Sequence, residues 1–248
     1  MAAYSALSEV YDTLMDDVDY AGWADYWLKL IESAGVEPMR LCDCACGTGA
    51  LAIRFAERGM RVTGIDISGE MLRRAQEKAR AAGVQVMFVR QDMRRLELPR
   101  PVDALVCGCD GVNYLLDDDS VDAFFSKARA SLRPGGALAF DVSSAWKLEH
   151  VLGNGFFGED RDDIAYLWSN RFDPVAQTVE MDLTFFVREP DGRYRRFDEL
   201  HTQKAHRADH LAERLDANGF EVLGVYGDRT FEPPEPDAQR IHFIARAK

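Results

Sequence analysis

The segment 41–50 constrains the fold more strongly than any other stretch of this sequence. It has the pattern of an apolar strand that passes through Gly47 and Gly49 directly into a helix over residues 50–58. Glycine has no Cβ, so the backbone here can turn tightly and lie close to a ligand. The first N–H groups of the following helix would point at that ligand. A strand-glycine-helix unit of this kind predicts a nucleotide site, although a purely structural turn is the alternative.

The glycine pattern alone leaves the type of nucleotide open. Residues 47–52 also satisfy the G-x-G-x-x-A pattern of dinucleotide dehydrogenases. Asp66 closes the next predicted strand, 61–66, and lies 17 residues after Gly49, where an acid can accept hydrogen bonds from ribose hydroxyls. Asp66 could instead simply precede a helix over 69–82 that Ser68 caps. The two features together predict a nucleoside ligand without identifying it.

Predicted strands and helices alternate along the first 142 residues. The helices are predicted at 50–58, 69–82 and 119–132. The first strand is the apolar part of segment 41–50 before the glycines, and the other strands are predicted at 61–66, 84–89, 102–107 and 137–142. This alternation predicts an α/β fold with a doubly wound parallel sheet, whose ligands bind outside the carboxyl ends of the strands. The residues that fall at those ends are Gly47, Asp66, Asp92, Asp110 and Asp141.

The alternation breaks after the fifth predicted strand. Residues 145–205 are too many for a connecting loop, so we expect a folded insertion. Its period-two segments predict a three-stranded antiparallel meander over 164–168, 179–187 and 193–201. A helix over 207–218 follows. The last two predicted strands, 220–226 and 240–245, have no helix between them and must pair antiparallel if they are neighbours.

Residues 4–34 predict two helical pieces that are rich in aromatic side chains. Tyr11, Tyr20, Trp23, Tyr26 and Trp27 suit helix packing, and one or two of them could also cover a cationic ligand. We therefore divide the chain into a helical lid, a nucleotide-binding domain in two pieces and an antiparallel β insertion. Their predicted bounds are 1–35, 36–144 with 206–248, and 145–205.

Composition excludes several classes of protein. A net charge of -12 would repel a phosphate backbone, so we expect no nucleic-acid partner, whereas a small or cationic substrate is accommodated. No signal-peptide pattern and no long apolar run is visible, so we expect a cytoplasmic protein without a membrane partner. We also expect a monomer or homodimer. The five cysteines, in 42–46 and 107–109, lack zinc-site spacing and are odd in number, so neither a metal nor a disulfide framework is predicted.

Three motifs together resemble those of the class I S-adenosylmethionine-dependent methyltransferases. Residues 43–49 resemble the first motif, with Ala45 where many members have a glycine; residues 62–68 resemble the second, and 91–93 the third. The resemblance covers about residues 4–248. It implies a Rossmann-like seven-stranded sheet with an antiparallel last strand, and S-adenosylmethionine as cofactor. The aromatic start and the insertion resemble small-molecule N- or O-methyltransferases, including sugar-amine enzymes, which implies a small-molecule acceptor.

The resemblance also implies roles at the methionine and ribose parts of the cofactor. Asp43 would orient the methionine ammonium, which the carbonyl of Cys109 would also meet. Gly47 and Gly49 would let the backbone approach the methionine part. Asp66 would hold both ribose hydroxyls.

Further cofactor contacts follow from the same resemblance. Ile67 and Met93 would sandwich the adenine, and Asp92 would accept a hydrogen bond from its amino group. Met71 is assigned to the same pocket. Tyr11 resembles the lid tyrosine of the small-molecule enzymes.

Methyl transfer from a sulfonium mainly requires alignment of the nucleophile with the S–CH₃ bond. An amine acceptor must also be neutral, so a nearby base helps. Tyr114, where the sugar-amine enzymes carry a histidine, and Asp110 are the candidate catalytic residues, although each could instead be a loop or capping residue. His201 and His206 are secondary candidates. A non-catalytic S-adenosylmethionine-binding protein and an NAD-dependent oxidoreductase are the rival functions.

Overall fold

The computed structural model describes residues 7–248, which form eleven strands and six α-helices. The strands are β1 (Arg40–Cys44), β2 (Arg61–Asp66), β3 (Val86–Arg90), β4 (Val102–Cys107), β5 (Leu132–Ser143), β6 (Phe156–Asp160), β7 (Ile164–Asp173), β8 (Thr178–Arg188), β9 (Tyr194–Lys204), β10 (Phe220–Gly227) and β11 (Arg240–Ala247). The helices are α1 (Tyr11–Leu14), α2 (Tyr20–Ser33), α3 (Ala50–Glu57), α4 (Gly69–Ala81), α5 (Asp118–Ser131) and α6 (Ala208–Ala217).

Seven strands form one sheet in the order β10-β11-β5-β4-β1-β2-β3. Strands β1 to β5 run parallel, and β11 pairs antiparallel with both β5 and β10. This confirms the predicted Rossmann-like sheet with an antiparallel last strand. Asp43, near the end of β1, stands in register between Gly64 of β2 and Val106 of β4, so the carboxyl ends of the central strands meet at one edge.

Side-chain caps fix where three helices begin. Asp19 accepts a hydrogen bond from the backbone of Gly22 at the start of α2. The Ser68 hydroxyl accepts from the Met71 N–H at the start of α4, and Asp117 caps α5. Such caps each stabilise a helix by about 1 kcal/mol because they satisfy N–H groups that have no partner inside the helix.

Apolar side chains cover both faces of the large sheet, as a parallel sheet requires. Cys42 and Cys44 of β1 pack on one face with Phe140, and Leu41 packs on the other with Trp27 of α2. All five are fully buried. Burial of each large apolar side chain stabilises the fold by about 1.5–3 kcal/mol. The cysteines of β1 are therefore free thiols that serve as small core residues.

The insertion is a four-stranded antiparallel sheet, in the order β6-β7-β8-β9, so the predicted three-stranded meander was one strand short. The missed strand is β6. All five of its residues are exposed, and it holds to β7 through main-chain pairing at the sheet edge. A strand that buries no side chain has no apolar alternation, which is the signal that sequence analysis depends on.

Other differences from the predicted elements are local. Strand β5 begins at Leu132 rather than at residue 137, and its register with β4 shifts between Val102 and Ala104 to accommodate the proline and glycines at 134–136. The first helical piece is only a 3₁₀ turn, Leu7–Glu9, followed by the one-turn α1. Residues 1–6 of the predicted lid lie outside the described residues. Within residues 7–248, no helix has the length and apolar character to cross a membrane.

Candidate functional site

A cavity of about 320 Å³ lies at the carboxyl ends of the parallel strands, and Tyr11 and Tyr20 from the N-terminal segment contribute to its wall. Ten of the twelve residues proposed from the sequence line it: Tyr11, Asp43, Gly47, Asp66, Ile67, Met71, Asp92, Met93, Cys109 and Tyr114. Gly49 and Asp110 do not. The cavity lining also includes Tyr20, Thr48, Arg94 and Leu115, which sequence analysis did not assign to the site.

Asp66 organises the glycine turn at the start of α3. Its carboxylate accepts hydrogen bonds of 2.8 Å from the backbone N–H of Gly47 and of 2.8 Å from that of Ser68. Burial raises the pKa of Asp66, and these N–H donors partly offset that effect. Gly49 has φ of +75°, and a Cβ there would lie 2.9 Å from that of Ala75. Gly49 therefore permits the close packing of α3 rather than forming the cavity wall.

Asp43 presents a buried carboxyl group to the cavity. Burial raises its pKa to about 8, although a hydrogen bond from the Ala52 backbone works in the opposite direction. Its Oδ2 atom has no hydrogen-bond partner in the part of the chain that the structure describes. A buried acceptor without a partner is costly, so this site suits a cationic ligand group that would hydrogen-bond it.

Apolar and charged side chains combine at the other end of the cavity. Ile67 is 59% exposed although it is apolar, and it lines the cavity together with Met93. Asp92 accepts a hydrogen bond from the Arg94 backbone and forms an ion pair of 2.6 Å with the Arg94 side chain. The Arg94 guanidinium lowers the pKa of Asp92. Asp92 is therefore ionised, and Arg94 already occupies part of its hydrogen-bonding capacity.

The loop 109–114 forms the wall between the cavity and the insertion. Cys109 and Asp110 both have φ of 56°, a left-handed conformation that costs a non-glycine residue roughly 1–2 kcal/mol. Buried Asn113 offsets this strain. Its amide group donates to the carbonyls of Ser143 and Lys204 at 3.0 and 2.9 Å, and accepts from the Ser143 N–H at 2.9 Å. Asn113 thus fastens the loop to both the core and the insertion.

Asp110 is engaged in a buried charge network rather than directed into the cavity. The Arg240 guanidinium contacts the carboxylates of both Asp110 and Asp141, and Gln203 donates to Asp110 at 3.3 Å. Burial favours a raised pKa for Asp110, but the Arg240 charge prevails and lowers it. Burial raises the pKa of the fully buried Asp141 to about 6. The arrangement favours a structural role for Asp110 and leaves Tyr114 as the better candidate for catalysis.

Tyr114 links the cavity to the insertion. Its hydroxyl lies 3.3 Å from Nδ1 of His201 on β9. His201 is one of three polar residues that alternate along the buried face of β9, between Glu199 and Gln203. Burial lowers the pKa of His201, so the ring is neutral at pH 7. The period-two run of polar residues was visible in the sequence, but only the fold shows that it faces inward.

His206 has a different environment. Its Nε2 lies 2.8 Å from the Leu115 carbonyl, and burial lowers its pKa to about 4. The ring is therefore a neutral, buried donor to the backbone and is not part of the cavity lining. Among residues 7–248, no group of three or more His, Cys, Asp or Glu side chains is placed to hold a metal ion.

The structure combines a Rossmann-like sheet whose last strand is antiparallel with a glycine turn at the end of β1 and an acid at the end of β2. This combination is that of the class I S-adenosylmethionine-dependent methyltransferases. Residues 41–136 match the family model described as "Methyltransferase domain". The chain is 37% identical over 244 residues to YqeM of Bacillus subtilis (strain 168), covering 98% of this chain and 96% of that protein, whose name gives the methyltransferase class and no acceptor. The chain therefore belongs to the S-adenosylmethionine-dependent methyltransferase family, and S-adenosylmethionine is its cofactor.

Two further relatives define the range of similarity. A solved S-adenosylmethionine-dependent methyltransferase from Clostridium acetobutylicum ATCC 824 has a TM-score of 0.89 at 31% identity, with 98% of each chain covered. A Streptomyces venezuelae enzyme named dTDP-3-amino-3,4,6-trideoxy-alpha-D-glucopyranose N,N-dimethyltransferase is 27% identical over 199 residues, which cover 78% of this chain and 81% of that one. These similarities show a methyltransferase and leave the acceptor open.

Proposed function

We propose that this methyltransferase transfers the methyl group to a nitrogen or oxygen of a small polar molecule, held between the loop 109–114 and the inward face of β9. The observation that carries the proposal is the contact between Tyr114 and His201. It brings a polar group of the insertion to the wall of the cofactor cavity, where Tyr114 lies. The insertion therefore supplies groups suited to an acceptor, while the sheet edge holds the cofactor.

The residues of the cavity fit the parts of S-adenosylmethionine. The Oδ2 atom of Asp43, which has no hydrogen-bond partner among residues 7–248, suits the methionine ammonium, and the carbonyl of Cys109 is proposed as its second acceptor. Asp66 is proposed to accept from the ribose hydroxyls while it keeps the turn at Gly47 in place. Ile67, Met71 and Met93 would provide an apolar environment for the adenine. When bound, S-adenosylmethionine supplies a methyl group on a positively charged sulfur.

The raised pKa of Asp43 gives a direct test of its role. With a pKa of about 8, Asp43 is mostly protonated at pH 7, and an ammonium bound beside it would favour the carboxylate. Binding of S-adenosylhomocysteine should then release close to one proton, and affinity should rise about tenfold per pH unit below pH 8. Calorimetry at pH 7 in phosphate and Tris measures that proton. Asp43→Asn should remove it, and equal binding heats for the wild type in both buffers would contradict the assignment.

Tyr114 and His201 can together accept a proton from the acceptor. In the tautomer that carries its proton on Nε2, His201 accepts a hydrogen bond from the Tyr114 hydroxyl at Nδ1. As the acceptor nitrogen forms its bond to the methyl carbon, its N–H proton would pass to the Tyr114 oxygen and the tyrosine proton to His201. The electron pair of the broken S–C bond would stay on sulfur, so the positive charge of the sulfonium would be replaced by that of protonated His201. A histidine that burial keeps neutral at pH 7 is suited to this step.

A small acceptor agrees with the shape and charge of this region. Asn113 joins the loop to Lys204 at the end of β9, and Glu199 of β9 accepts a hydrogen bond from Leu7 in the N-terminal segment, so the elements on both sides of the proposed acceptor position are tied to β9. The net charge of -12 disfavours a nucleic-acid acceptor. The Streptomyces relative named for an amino sugar supports an amine acceptor as the first class to test.

The experiment is a search for labelled product. The purified protein is incubated with a metabolite extract and S-adenosylmethionine that carries an isotopic label in its methyl group, and all labelled species are identified by mass spectrometry. The expected result is a labelled metabolite below ~1 kDa, the size that an enclosed ligand site accommodates. An incubation with Asp43→Asn is the matched control.

The outcomes separate this proposal from its rivals. Label found only in protein or RNA would show that the acceptor is a macromolecule and would overturn the small-molecule proposal. S-adenosylhomocysteine binding without any labelled product would instead favour a binding protein that holds the cofactor without catalysis.

A further inference from the structure

The segment 7–17 contributes Tyr11 to the wall of the cofactor cavity. Leu7 and Val10 pack against Ile164 and Phe185 of the insertion. Two of its ion pairs also go to the insertion, from Glu9 to Arg195 and from Asp16 to Arg161. One side of the segment is therefore fastened to the insertion.

The other side of the segment is fastened by Asp12. Its Oδ1 atom accepts a hydrogen bond of 2.6 Å from the Thr48 hydroxyl and one of 2.7 Å from the Lys78 ammonium. The Lys78 nitrogen also lies 3.1 Å from the Thr48 hydroxyl oxygen, so the three side chains form a closed triangle. Among the ion pairs that the segment forms within residues 7–248, Asp12–Lys78 is the one that joins it to the Rossmann-like core. The other two ion pairs go to the insertion.

Thr48 has a special position in this triangle. It is the buried residue between Gly47 and Gly49, it is 2% exposed, and it lines the cavity. Asp12 is the immediate chain neighbour of Tyr11. The Asp12–Thr48 hydrogen bond therefore links the chain neighbour of Tyr11, which lines the cavity, directly to the glycine turn.

We propose that Asp12 is a positioning residue for the cofactor: it latches segment 7–17 onto the glycine turn, and this latch controls how fast the cofactor leaves. Opening the cavity requires the Asp12 contacts to break, whereas the contacts between the segment and the insertion need not change. The proposal concerns cofactor exchange alone. It does not depend on which acceptor is methylated.

The test measures dissociation of bound S-adenosylhomocysteine by stopped flow, with a fluorescent analogue as the chase. Asp12→Ala is expected to raise the dissociation rate about tenfold or more and to change the association rate by less than about threefold, because most such changes appear in the off-rate. Asp12→Asn keeps an acceptor for Thr48 but loses the charge, so an intermediate increase is expected. Lys78→Met should also accelerate dissociation, and the double variant should be no faster than Asp12→Ala alone.

Asp16→Asn is the matched control. It removes an ion pair from the same segment, but on the side of the insertion, and should leave the dissociation rate within about twofold of the wild type. An equal increase in Asp16→Asn would show that general loosening of the segment, and not the latch, controls the rate. A dissociation rate for folded Asp12→Ala within twofold of the wild type would also overturn the proposal.

A second measurement requires no variant. The Asp12–Lys78 pair is partly exposed, with side chains 42% and 33% accessible, so salt should weaken it. The dissociation rate of the wild type should therefore rise between low and high ionic strength. If Asp12→Ala fails to fold, a wild-type rate that is independent of salt overturns the ionic latch.

Discussion

Tyr114→Phe is expected to lower kcat by roughly 10²–10⁴-fold, the usual contribution of a positioned acid or base, and to change S-adenosylhomocysteine affinity little. The substitution keeps the ring and removes only the hydroxyl that faces His201 at 3.3 Å. His201→Asn should also reduce kcat. The rates would be measured with the acceptor identified by the labelling experiment, and the affinities by calorimetry.

The pH dependence of kcat distinguishes proton transfer from packing. Since burial lowers the pKa of His201, its neutral form persists to a lower pH than that of a free histidine, and kcat should fall only as pH drops through that lowered pKa. This acid limb should be absent from the residual activity of His201→Asn. Tyr166→Phe, in a tyrosine of the insertion that does not line the cavity, is the matched control and should retain the wild-type rate. If folded Tyr114→Phe keeps kcat within threefold of the wild type, the pair does not carry the proton.

Arg240→Met should destabilise the protein by about 3–5 kcal/mol at pH 8, the usual cost of removing one partner from a buried ion pair. Arg240 is the cation that contacts both Asp110 and Asp141, and the latter is fully buried. Without the guanidinium, two carboxylates would remain close together in a poorly solvated environment. Urea unfolding at fixed pH gives the change in free energy.

The same substitution should cost less at low pH. In the wild type, burial raises the pKa of Asp141 to about 6, above its unfolded value of about 3.9, so ionised Asp141 reduces stability as pH rises through that interval. Removal of Arg240 should raise the pKa of Asp141 further and should remove the main effect that lowers the pKa of Asp110. At pH 5 both carboxyls would bind protons and lose their repulsion, so the deficit relative to the wild type should shrink between pH 8 and pH 5.

Arg229→Met is the matched control for this effect. The guanidinium groups of Arg229 and Arg240 both lie 5.2 Å from the centre of the Trp23 ring, but Arg240 alone of the two forms an ion pair with the buried acids. We expect Arg229→Met to cost about 1 kcal/mol or less, with little pH dependence. Equal losses for the two variants would show that Arg240 acts through stacking on Trp23. A loss for Arg240→Met that is the same at pH 5 and pH 8 would contradict the account based on Asp141.

The sequence was sufficient for the parts of the fold that local rules encode. Continuous apolar runs in the sequence identified the central parallel strands, and in the structure β1 is buried. The glycines in the sequence marked the turn, and Gly47 and Gly49 both have positive φ there. The offset from this turn to Asp66 placed the acid at the end of the next strand, where it now accepts from the Gly47 N–H. These features depend on residues that are close along the chain or on the fixed geometry of parallel strands.

The environment of the predicted residues required the tertiary structure. Asp110 looked like a possible base until Arg240, 130 positions later, proved to be its partner. Asn113 gave no signal of its own, because its partners Ser143 and Lys204 come from two other elements. The pKa of a carboxyl group depends on burial and on charges that the fold brings to it, so sequence spacing cannot supply it.

The relation between the insertion and the cavity was also decided by the fold. Glu199, His201 and Gln203 alternate along β9 and therefore share one face of the strand, but nothing in the local sequence says which of the two faces is buried. Packing of the four-stranded sheet against the loop 109–114 turned that face inward and brought His201 to Tyr114. The sequence by itself therefore determined the class of protein and correctly placed ten of its twelve proposed site residues on the cavity lining. The contact between Tyr114 and His201, which carries the proposed acceptor site, was decided by tertiary packing, because the two residues come from elements far apart in the chain.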